Sequence, residues 1–160
     1  MDKVLKLGFA IQKIETRQFA IIDENYNSKG SVGMKVGLNF EITPNERIIA
    51  VALKIHLTQK NDAFLVSEIA CSFEIAPDSW KLVFNPKENF LDLPKDFVAH
   101  ITSLTIGSMR GFIHAKTEGN QINKHILPTI NITELVKTDL HLNLIPNKDL
   151  GKKIPIKKKL

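Results

Sequence analysis

From Phe97 to Met109 the chain carries no fixed charge; Asp96 precedes the gap and Arg110 ends it. A surface helix of a small domain normally shows one charged or polar face to water, so a chargeless segment needs cover on more than one side. On a wheel of about 3.6 residues per turn, Phe97, Val98, Ile101, Leu104, Met109, Phe112 and Ile113 spread over about half the circumference. Ala99, Ser103, Gly107 and Gly111 recur at every fourth position and form a stripe of small side chains beside them. The spacing predicts one long helix within Leu93 to Lys116. A single sheet can cover one of its faces. A partner helix or second subunit, approached closely over the small residues, is expected to cover the other. Ala99, Ile101, Ser103, Leu104, Gly107, Met109 and Gly111 are therefore candidates for an oligomer interface; the alternative is a helix wholly buried within one chain.

Strand periodicity dominates what precedes the helix. Ile49, Val51, Leu53, Ile55 and Leu57 alternate against Lys54, His56, Thr58 and Lys60, and after Asn61-Asp62 Leu65, Ile69, Cys71, Phe73 and Ile75 against Glu68, Ser72 and Glu74, which predicts a long antiparallel hairpin. Val32, Met34, Val36, Leu38 and Phe40 mark another strand, whose opposite face, Gly33, Lys35, Gly37, Asn39 and Glu41, is expected to be wet or close to another backbone. In the first strand Leu5, Leu7, Phe9 and Ile11 fall on odd positions, Ile14 on an even one, and Phe19 and Ile21 on odd ones again. Such a phase slip implies a bulge or a strand that crosses over itself. Pro77 to Asn89 reads as loop with room for one short element. Gly119 suits a left-handed helix end. Asn131 followed by Glu134 reads as the cap of a second helix running to about Leu140. The class is α+β.

Residues 1–146 read as one domain and 147–160 as a flexible, lysine-rich tail. Of 22 basic and 17 acidic side chains, six lysines and Asp149 lie in that tail, so the rest of the chain holds 16 of each sign. The formal charge of +5 thus describes the tail and not a basic binding face, which leaves nucleic-acid or membrane contact to the tail alone. One cysteine, Cys71, excludes an intrachain disulfide and cysteine-based zinc. With no apolar leader or bilayer-length apolar run, the expected location is the cytoplasm.

The chemistry of catalysis is missing from the local pattern. No G-x-S-x-G or H-E-x-x-H occurs, and Gly30, Gly33 and Gly37 lie in or before an alternating strand and not in a phosphate loop. His100 and His114 share a helix side but stand about 21 Å apart, too far for one metal ion. No enzyme activity, cofactor or metal is expected. Arg110, if buried, must pair with a carboxylate or with carbonyls and reads as a structural anchor.

Phe9-Ala10-Ile11-Gln12-Lys13-Ile14-Glu15-Thr16-Arg17 resembles the first-strand motif of the bacterial export chaperone family SecB, F-x-I-Q-[RK]-I-x-T-[RK]. In the same order, Ile101-Thr102-Ser103-Leu104 with Arg110-Gly111-Phe112 is similar to that family's helix elements I-T-S and R-G-x-F. Leu127-Pro128-Thr129-Ile130-Asn131 with Leu135 is similar to the segment opening its second helix. The resemblance spans roughly residues 9 to 136. It implies a four-stranded antiparallel sheet with one long and one short C-terminal helix, the long one sandwiched in a dimer or tetramer. It also implies a chaperone holding unfolded or partly folded polypeptides in apolar grooves. Phe19, Ile21, Val36, Leu38, Trp80, Leu135, Val136 and Leu140 are the groove candidates by position. Gln18 stands where the family commonly has Asp, Thr105 to Met109 lengthens the helix motif, and the tail is basic, which together argue against docking to the SecA motor. A dedicated adaptor for one partner, such as an antitoxin, is the alternative function.

Overall fold

A computed structural model describes residues 6–144 and the backbone of 153–156. Four long strands carry the chain to position 75: β1 (Phe9–Ile21), β2 (Gly33–Thr43), β3 (Ile48–Gln59) and β4 (Asp62–Ile75). They form an antiparallel sheet in the order β1-β4-β3-β2. Lys60 and Asn61, at φ 49° and 73°, make the tight turn between β3 and β4. Left-handed backbone at both central positions matches the twist of the flanking strands. The phase slip of β1 is a pair of register shifts, at Ile11/Lys13 and Thr16/Gln18. They keep Phe9, Ile11, Ile14, Phe19 and Ile21 on the face of their inward β4 partners Ile75, Phe73, Cys71, Ser67 and Leu65, although Ile11 and Ile14 remain exposed there.

Pro77 to Asn89 is more structured than expected. It holds α1 (Pro77–Val83) and β5 (Phe84–Asn85), and β5 pairs with β6 (Phe90–Leu93). The long helix α2 (Lys95–Lys116) follows and lies across β3 and β4. Its buried side, Phe97, Val98, Ile101, Thr102, Thr105, Ile106, Met109 and Ile113, meets the inward rows of the sheet, including Leu53, Ile55, Leu65 and Ile69. Two hydroxyls of this apolar helix bond back to the preceding turn, Ser103 Oγ to the Ala99 carbonyl and Thr105 Oγ1 to that of Ile101, while the buried Thr102 Oγ1 has no hydrogen-bond partner among the described residues. Ser67 Oγ lies 3.2 Å from Met109 Sδ at the buried sheet–helix boundary. Gly119, at φ 78°, follows the helix end.

The second helix needs correction. Asn131 does cap it, accepting from the Thr133 amide, but α3 spans only Ile132–Leu135. Leu140 stands in a strand, β7 (Leu140–Asn143), paired with β6 in a separate three-stranded sheet. Leu140, Leu142 and Leu144 alternate, and that period of two is the signal of the strand. Backbone 153–156 forms β8 (Lys153–Ile156) on the free edge of β2, making the larger sheet five-stranded. The rest of the segment expected to be a flexible tail lies outside the described residues. Among the described residues no helix is long and apolar enough to cross a membrane.

Candidate functional site: the outer face of the long helix

With its broad apolar side on the sheet, α2 turns Ser103, Gly107 and Gly111 outward, with Ala99 and Leu104 half-buried at the margin. A Cβ added at Gly107 or Gly111 would meet no atom within 4 Å. Among the described residues nothing covers the stripe at these two glycines. Ile101 and Met109, placed in the same interface from sequence, are instead fully buried in the chain's own core. A second copy cannot reach them without unfolding the domain.

Beside the C-terminal half of the stripe runs the connection from Gly119 to Ile130. It is pinned at two points by buried apolar side chains, Ile122 and Leu127. Asn120 starts it with a side-chain bond from the Ile122 amide at 2.9 Å. Asn123 then reaches back to the His114 carbonyl at 2.8 Å and to Thr117 Oγ1 at 3.0 Å. Arg110 holds its far end, Nε donating to the Leu127 carbonyl at 3.0 Å and Nη2 to that of Pro128 at 3.3 Å. The guanidinium thereby fixes the distance between helix and connection.

Between the two lies a groove of about 320 Å³ lined by Gly107, Arg110, Gly111, Ile113, His114, His125, Ile126 and Leu127. The two glycines give it depth, because no side chain rises from the helix there. Ile126 is 71% exposed, the most exposed large hydrophobic residue of the described chain. His125 closes one end. Its Nε2 lies 2.9 Å from the Tyr26 hydroxyl, and its ring packs edge-on against Tyr26 and tilted against Phe64. Burial, and then the charge of Lys124, hold its pKa below the ordinary histidine value. Lys124 in turn donates to the Ser28 carbonyl, so the loop after β1 backs the groove's closed end.

The groove candidates chosen from sequence are not gathered here. Val36, Leu38 and Trp80 are buried, the first two opposite Ile55 and Leu53 of β3 and the third against Phe84, so none is free to line a groove. Phe19 and Ile21 are half-buried near the end of β1; Phe19 meets Phe112 edge-on with Lys116 above both rings. Leu135, Val136 and Leu140 are half-buried against the core. Sequence reasoning missed His114, His125, Ile126 and Leu127 as groove residues. Of these only Ile126-Leu127, an adjacent apolar pair in a largely polar connection, carries a readable signal.

No cluster of His, Cys, Asp or Glu suited to a metal ion occurs among the described residues. No family model and no curated protein matches the chain. Among solved structures it is similar to a protein of unknown function from Streptococcus agalactiae, at 13% identity and a TM-score of 0.40, over 79% of this chain and 98% of that one.

Proposed function

We propose that this chain is a SecB-like, non-enzymatic chaperone of the cytoplasm that assembles as a homo-oligomer and holds unfolded or partly folded polypeptides. The observation that carries the reading is the outer face of α2: a stripe without cover, open above Gly107 and Gly111, beside an apolar groove with Ile126 on its rim. Isolated exposed hydrophobics are ordinary, but an open apolar groove whose one permanent charge is Arg110 is not what a self-sufficient domain requires. Ala99, Ser103 and Leu104, on the N-terminal half of the stripe, are assigned to contact with a second copy. Gly107 and Gly111, on the C-terminal half, are assigned to the client. Apolar burial, worth about 25 cal/mol per Å², can hold an extended segment without reading its sequence, and several grooves per oligomer add avidity.

Light scattering, alone and with an unfolded aggregation-prone polypeptide added, tests both halves. The expected result is a dimer or tetramer that takes up the polypeptide and slows the aggregation of several unrelated proteins. Ser103→Arg is expected to reduce the mass to the monomer. A wild-type monomer that captures nothing sinks the proposal. An oligomer that protects one partner and no other makes the chain a dedicated adaptor instead.

A further inference from the structure

The groove's one permanent charge has no opposite among the described residues. Arg110 is half-buried, donates only to two backbone carbonyls, and forms no ion pair with a carboxylate among the described residues. None of the eight lining residues is acidic, and the other two titratable ones, His114 and His125, can add only positive charge. Carbonyl dipoles satisfy guanidinium hydrogens without cancelling the charge, and a partly desolvated cation gains most from a carboxylate brought to it. Burial, and then the charge of Lys124, lowers the His125 pKa, and the second of these places a further positive charge near the closed end.

Resting on the client-holding reading above, we infer that the groove selects extended apolar polypeptide segments flanked by carboxylates, the apolar side chains lying over Gly107 and Gly111 and an Asp or Glu meeting Arg110. Charge complementarity chooses the occupant: a lysine-flanked segment of equal apolarity would bring like charge to an unneutralised guanidinium. The contact areas are the same for both segments, so the preference is electrostatic and screened by salt.

Two fluorescent decapeptides test this, with one shared Leu/Val/Phe core flanked either by Asp and Glu or by Lys, read by anisotropy at low and high salt. The acidic peptide is expected to bind on the order of tenfold tighter at low salt, the gap narrowing in about 0.5 M salt. His114→Glu puts a carboxylate four residues from Arg110 on the same helix side. It is expected to erase the preference. Lys81→Glu, outside the groove, changes net charge more and is expected to leave the preference in place. Gly107→Leu, entering open space, is expected to weaken both peptides. Equal binding, a preference for the lysine peptide, or indifference to His114→Glu overturns the selectivity while leaving the chaperone reading standing. Failure of both peptides to bind, together with no suppression of aggregation, overturns both.

Discussion

Arg17 on β1 donates two guanidinium nitrogens to the carboxylate of Glu41 on β2, at 2.5 and 2.7 Å, although β4 and β3 stand between their strands. The intervening strands carry small residues here: Ala70 on β4, opposite Glu15, Ala52 and Ala50 on β3, opposite Asn39 and Glu41, and Ser72 on β4, opposite Ala50; the three alanines lie closest to the path from Arg17 to Glu41. Their short side chains leave room for an arginine to lie over the sheet. They are buried, at 2%, 5% and 8% exposure, on the face not covered by α2. The bulges of β1 re-aim Arg17 across that face. The face expected from sequence to be wet or close to another backbone is therefore closed at one end by a strap of ion-paired side chains.

Because Arg17 and Glu41 are about a third exposed, water screens their attraction, and the bidentate geometry is the larger contribution. Glu41→Gln and Arg17→Met are each expected to lower stability by about 1 kcal/mol, with a double-mutant coupling of similar size, measured by urea unfolding. The hydrogen bond from Arg17 holds the Glu41 pKa below its ordinary value. The strap's contribution is thus complete above the unfolded carboxylate's pKa, about 4.3, and is lost as pH falls through the depressed folded value. Additive single-mutant effects would show that the pair contributes no coupling.

The helix glycines and the glycine after the helix are expected to respond in opposite directions. Gly107 lies in the interior of α2 with open space beyond its Cα, so Gly107→Ala gains helix propensity of up to about 1 kcal/mol. Gly119 holds φ 78°, which alanine adopts only under strain, and Gly119→Ala is expected to cost about 1 kcal/mol. In a domain of this size each corresponds to a Tm change of roughly 2 to 4 °C, upward for the first and downward for the second. A fall in Tm for Gly107→Ala, with no change in oligomeric mass, would mean that some atom already occupies the space above the helix.

How far the sequence could be read follows from where each signal originates. The β3–β4 hairpin was legible because the alternation of Ile49 to Leu57 and of Leu65 to Ile75 flanks two turn residues, while the register shift at Leu57/Thr58 was not. The turn itself sits one residue earlier, at Lys60-Asn61. The long helix was legible from the missing charges between Asp96 and Arg110. Its division into a buried and an open side was legible only in part, since Ile101 and Met109 are as apolar as an interface residue and only packing shows them fully enclosed. Val36 and Leu38 failed as groove residues for a related reason: alternation tells that a strand has two faces, not which one is free. The groove is set by where a connection from Gly119 to Ile130 folds back on the helix. That path depends on Arg110 finding two carbonyls, which no local pattern encodes. The cap at Asn131 was correct while the helix length was not, because a cap fixes a start and α3 stops after Leu135.

Two histidines make stability depend on pH just below neutrality. His56 projects from β3 with Lys35 opposite it and Lys54 two residues away, and its Nε2 is buried with no hydrogen-bond partner among the described residues. Burial, then Lys54, then Lys35 lower its pKa; burial, then Lys124, lower that of His125. Below an unfolded value of about 6.5 the unfolded chain takes up these protons before the folded one does. Stability is therefore complete above that value and declines as pH falls through it toward the lower folded values. Glu41, with its pKa lowered by Arg17, titrates beneath this window. Urea midpoints are expected to fall between pH 8 and pH 5.5 for the wild type and to fall less for a His56→Gln, His125→Gln double variant. Equal declines in the two proteins would assign the loss to other groups.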